Sequence, residues 1–87
     1  MSLLDLKPKL IRKYKNLNKY MIIYPNYLVN ETGAKIIELC NGNYTVKEII
    51  ETIKNSYENE HYSKIEEDVI NFLHTLYSLN IVIFNNE

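Results

Sequence analysis

Cysteine occurs once in this 87-residue chain, at Cys40, so neither a disulfide framework nor a cysteine-rich metal site can be built within one copy. Its place in AKIIELC puts it on the apolar side of a helix, where a free cysteine behaves as a small buried hydrophobe. Glycine occurs only at Gly33 and Gly42, and a helix start and a helix stop account for both. A phosphate-binding loop needs glycines for close backbone approach, so no nucleotide cradle is expected. The two histidines, His61 and His74, fall on different elements with no HxxxH or CxxC nearby, and neither a metal nor a cofactor is expected. No apolar run approaches the roughly 18 residues of a membrane span, and MSLLDLKPK has neither the charged start nor the apolar core of a secretion signal. The expected compartment is the cytoplasm, with no membrane partner.

What is present is the composition of a folded protein: 46% hydrophobic and 24% charged residues lie outside the disordered range. A chain of this length builds one modest core, so residues 1–87 are expected to form a single domain. The net charge of -1 conceals an asymmetry. Residues 1–20 hold six of the ten Lys and Arg against one acid, Asp5, whereas residues 21–87 hold four Lys against ten acids. A basic arm can meet nucleic acid or an acidic partner, but the simpler reading is a soluble edge that discourages strand pairing.

Along the chain, Lys7 to Lys15 alternates weakly with period two, and Pro8, which cannot donate to a ladder, belongs at the start or edge of a strand. After a turn at residues 16–19, Tyr20 to Tyr24 is continuously apolar, as in a strand covered on both faces. Pro25 and Asn26 suit a type II turn into Tyr27, Leu28 and Val29. Asn30 is placed as a helix N-cap with Glu31 in the first turn, and Asn41-Gly42 supplies a left-handed stop after Cys40. Thr45 to Glu48 is a capping box, followed by Val46, Ile49, Ile50, Ile53 and Tyr57 on one helical face. Ser63 to Glu66 repeats the box and opens a helix from Lys64 to Leu79 with Asn80 as its stop. Its main stripe is Ile65, Val69, Phe72, Leu76 and Leu79; Ile70, Leu73 and Tyr77 widen it on one flank. Ile81 to Phe84 is a short strand that pairs back onto the sheet. The expected fold is α+β and winged-helix-like: a three-stranded antiparallel sheet, three helices and a short C-terminal strand.

Catalytic chemistry finds no foothold. Glu66, Glu67 and Asp68 are adjacent and point in different directions, and acids in a first helical turn are explained by the helix dipole. The same acids, against a single Lys64, would repel phosphates where a winged helix must contact DNA, so a DNA-binding regulator is the alternative and no nucleic-acid partner is expected.

The run from Tyr24-Pro25 through Leu28-Val29-Asn30-Glu31-Thr32-Gly33-Ala34, Ile37, Leu39-Cys40, Gly42, Thr45-Val46 and Glu48-Ile49, then Glu67-Asp68-Val69, Phe72-Leu73 and Leu76, resembles the PqqD family. The resemblance covers about residues 7–84. It implies a non-enzymatic, winged-helix-like peptide chaperone of pyrroloquinoline quinone and related biosynthesis. Such a domain binds the leader segment of a ribosomally made precursor peptide and presents it to a modifying enzyme, commonly a radical S-adenosylmethionine protein. In that family the leader adds as a strand to the third β-strand and lies against the third helix. Here that strand is Tyr27, Leu28, Val29 and Asn30, and the helix begins at Lys64, with Glu66 on its first turn. One departure is a short link from Pro25 to Asn30, which leaves a short docking strand.

The residues support the same role on physical grounds, because an edge strand offers backbone groups while neighbouring pockets select alternate guest side chains. Ile70, Leu73 and Tyr77 are the candidate pocket residues; the alternative is that they pack on the first helix or the final strand. A third reading is a homodimer or scaffold that self-associates through the same free edge.

Overall fold

The computed structural model describes residues 2–57 and 61–85. A short 3-10 turn, Leu3–Asp5, precedes five strands and three helices: β1 Lys7–Leu10, β2 Tyr14–Leu17, β3 Tyr20–Ile23, β4 Tyr27–Val29, α1 Glu31–Glu38, α2 Val46–Ser56, α3 Tyr62–Ser78 and β5 Val82–Asn85. β2, β3 and β4 form a three-stranded antiparallel sheet in that order; α1 packs directly against β3 and β4, and α2 and α3 join it through a common apolar core. The expected α+β architecture is present.

Two details differ from expectation. The basic segment is two strands and not one, because Ile11 to Lys13 breaks the pairing, and β1 leaves the main sheet altogether. β5 pairs antiparallel with β1, matching Pro8 with Phe84 and Leu10 with Val82, so the returning strand closes a separate two-stranded ladder. That ladder has a covalent logic: Pro8 has no N–H to give, yet its carbonyl accepts from Gly42, and Leu10 donates to the Cys40 carbonyl, so the chain after α1 covers β1's other side. The second difference is at the β3–β4 turn. Positive φ among non-glycine residues falls at Asn18 and Asn80, and not at Asn26, where a type II turn would need it.

Local signals explain the helix ends. Asn30 caps α1 by accepting from Gly33 N at 2.9 Å. Thr45 Oγ1 accepts from Glu48 N while Glu48 Oε1 accepts from Thr45 N, completing the predicted box at α2. Asn80 and Gly42 take the left-handed conformations that their positions require. The Ser63 box does not form. α3 begins two residues earlier, at Tyr62, with His61 as an N-cap that makes no side-chain bond. Tyr62 instead ties this end to α2, its phenol donating to Glu51 Oε1 at 3.1 Å. Its pKa is raised, first by lost hydration and then by the Glu51 carboxylate.

The core is one aliphatic cluster. Met21 and Ile23 from the sheet, Ile36 and Ile37 from α1, Val46, Ile49, Ile50 and Ile53 from α2, and Ile65, Val69, Leu73 and Leu76 from α3 are all buried. No described side chain with a polar nitrogen or oxygen is buried without a partner, so nothing in the interior opposes the apolar burial. Cys40 belongs to this core and donates to the Ile36 carbonyl at 3.3 Å, and burial pushes its thiol pKa up to about 12.

Two measurements follow from this packing. Thr45→Ala removes one half of the box and should cost about 1 kcal/mol in urea unfolding. At pH 8 Cys40 should resist labelling by a soluble thiol reagent in the native chain and react only as urea unfolds it. Because its native pKa lies above the ordinary 9.0, the unfolded chain loses the proton first. The thiol's contribution to stability is therefore intact below pH 9 and falls as pH rises from 9 towards 12.

Candidate functional site

β4 is a sheet edge: it pairs with β3 through Met21↔Val29, Ile22↔Leu28 and Ile23↔Tyr27, and its other side has no strand among the described residues. The chain leaves that edge abruptly. Immediately after Val29, Asn30 turns it into α1, and the corner is so tight that a Cβ at Gly33 would overlap Val29 Cγ1 and lie 3.1 Å from Phe72 Cζ. Gly33 is needed for close approach and not for its φ.

Beside the edge lies an open groove of about 440 Å³. β4 forms one wall, the first half of α3 the other, and the start of α1 with the end of α2 close it below. Its floor reaches the core at Ile36, Ile53, Ile65 and Val69, while Phe72 stands half-buried on the α3 wall. Polar groups sit on the rim. Thr32 Oγ1 and Tyr57 Oη share a hydrogen bond at 2.9 Å, Lys35 Nζ lies 5.4 Å from the Tyr57 ring centre, and Lys64 pairs with Asp68 at 3.6 Å. That last pair is exposed and contributes little to stability. The arrangement offers backbone donors and acceptors along one side and apolar volume along the other, with no net charge from the Lys64–Asp68 pair.

Of the residues singled out from the sequence, Tyr27, Leu28, Val29 and Asn30 line this groove. Glu66, Ile70, Leu73 and Tyr77 do not. Leu73 is fully buried in the core and offers no open pocket, and Ile70 packs against that core. Tyr77 is exposed and its ring lies 5.5 Å from Phe84 on β5. Glu66 is partly exposed on α3, next to the groove residues Lys64, Ile65 and Asp68 in sequence but outside the lining. The physical reason is rotation of α3. Leu73 enters the core where Phe72 was expected, and Tyr77 turns towards Phe84 on β5, so the flank that opens towards β4 is Lys64, Asp68 and Phe72. Phe72 and Leu73 are one helical step, 100°, apart, and apolar periodicity cannot choose between them. Thr32 and Tyr57 carry no such signal, since they meet only through packing of α1 on α2.

The family model for coenzyme PQQ synthesis protein D matches residues 20–82, from the start of β3 to the start of β5. The chain belongs to the PqqD family. A relative from Methylococcus capsulatus, the PqqA binding protein, is 35% identical over 71 residues, covering 78% of this chain and 73% of that protein. The family match takes in every groove residue but not β1 or β2, so β4, α1 and α3 lie within the shared part and the basic strands outside it. Neither comparison points to a DNA-binding regulator.

Gly33→Ala tests the corner. Alanine gains up to about 1 kcal/mol of helix propensity over glycine, but a β-branched Val29 that is itself buried cannot move aside cheaply, and overpacking of this kind costs about 1–3 kcal/mol. A net destabilisation is expected in urea unfolding; a stabilised variant would mean that the corner is slack.

Proposed function

We propose that this chain is a non-catalytic peptide chaperone. It takes the leader segment of a ribosomally made precursor as an added strand on β4 and presents it to a modifying enzyme, a radical S-adenosylmethionine protein. The observation that carries this reading is the unpaired β4 edge lying beside an apolar groove of about 440 Å³. An edge strand supplies affinity that tolerates sequence, and a groove beside it selects alternate side chains. Membership of the PqqD family and the name of the Methylococcus relative support a PqqA-type peptide as the guest.

The mechanism requires position alone. A short tether between held leader and modifiable core raises the local concentration of that core to the millimolar range at a docked enzyme, without any bond made by this chain. Tyr27 to Asn30 act as the receiving edge, and the half-buried Phe72 as the shelf on which guest side chains rest. Three of the residues first considered, Ile70, Leu73 and Tyr77, are better explained as packing, and Glu66 as a neighbour of the rim.

Titration with a synthetic PqqA peptide tests this. Backbone amide shifts should move at residues 27–30 and 64–72. Asp68→Trp, which places an indole across the mouth of the groove from an exposed position, should weaken binding at least about tenfold, with the thermal midpoint nearly unchanged. Shifts confined to β5 and Tyr77 would move the guest away from β4 and defeat the proposal.

A further inference from the structure

The sheet has a second face that no helix among the described residues covers. Side chains alternate along a strand, and the register places Leu28, Ile22 and Lys15 in one row and Tyr20 with Leu17 in the next, on the side opposite Met21 and Ile23. Leu28 is 61% exposed, Tyr20 52% and Leu17 38%; Ile22 is partly exposed, and β2 is exposed along its whole length. Clustered apolar side chains of this kind on a small protein mark an interaction site more often than isolated ones do.

Its electrostatics are one-sided. Residues 6–30 contain six Lys and Arg and no acid at all. Lys15 lies within the face, Lys13 and Lys19 flank β2, and no described carboxylate pairs with any of the three. A second copy laid face to face would bring these lysines together, which disfavours self-association. The face is also continuous with the β4 edge. A guest strand added there would turn every second side chain onto it, beside Leu28.

We infer that the outer face of the β2–β3–β4 sheet, centred on Leu17, Tyr20 and Ile22 and edged by Lys15, docks the peptide-modifying enzyme through an apolar surface rimmed by carboxylates. This rests on the peptide-chaperone reading for the enzyme's identity. It places the enzyme against the strand that borders the guest, on a side distinct from the groove, so both can be occupied together. Aromatic and aliphatic anchors supply the contact, and the lysines supply orientation and encounter rate.

The experiment uses a radical S-adenosylmethionine enzyme that modifies PqqA, immobilised, with the full chain as analyte. Leu17→Ser/Tyr20→Ser and Lys15→Glu alter exposed positions outside the groove, so both variants should keep the thermal midpoint and their affinity for synthetic PqqA. Both should lose at least about tenfold in enzyme affinity, and the wild-type affinity should fall as salt rises. Unchanged enzyme affinity in either folded variant would overturn the inference while leaving the peptide reading intact. Enzyme binding that depends on this face, in a chain that fails to bind PqqA, would do the reverse. A wild-type dimer in sedimentation that Tyr20→Ser converts to monomer would assign the face to a second copy and also overturn it.

Discussion

The turn from β4 into α1 is the joint on which the other elements depend. Asn30 holds the first turn of α1 by its side chain, Gly33 lets that turn sit against Val29, and Val29 is itself buried under the sheet. The corner therefore does two things at once. It ends the sheet at β4, leaving that edge without a partner strand among the described residues, and it swings α1 beneath the sheet so that Thr32 and Ile36 line the groove beside the same edge. A looser connection would let the chain run on alongside β4 and cover the edge, as proteins commonly arrange for exposed strands.

The rest of the fold keeps that edge open. β5 carries the end of the described chain away to β1, and the loop after α1 covers β1's other side, so neither is available to cap β4. α2 and α3 are joined through the aliphatic core and through the Tyr62–Glu51 bond, which fixes the α3 wall from its first turn. The groove is thus bounded by elements held by burial, and a guest would meet a largely formed surface. Preorganisation of that kind lowers the ordering cost of binding.

Charge and apolar exposure are divided between two sides. The groove rim is balanced, with Lys64 beside Asp68, and its interior is aliphatic and aromatic. The outer sheet face is exposed and carries Lys15; its β2 row lies outside the segment matched by the family model, which begins at Tyr20, while Tyr20, Ile22 and Leu28 lie within it. Two surfaces that differ in charge in this way suit different partners, since encounter and selectivity against wrong partners are set by charge.

Signals that act over three or four residues were legible in the amino-acid order: the Asn30 cap, the Thr45–Glu48 box, the stops at Gly42 and Asn80, and the apolar face of α2 all stand as read. So was the strand β4, because Tyr27 to Val29 sits between a turn and a cap. Local hydrogen-bonding chemistry and periodicity decide such features without help from the rest of the chain. The partner of β1, the start of α3 and the direction in which α3 faces were not legible. Each is a competition between nearly equal local options, Ser63 against His61 as the cap, Phe72 against Leu73 in the core, one sheet against two. Those competitions are settled by tertiary contacts, the return of β5 to β1 from the far end of the chain and the bond from Tyr62 to Glu51 on the preceding helix, whose energies no local pattern encodes.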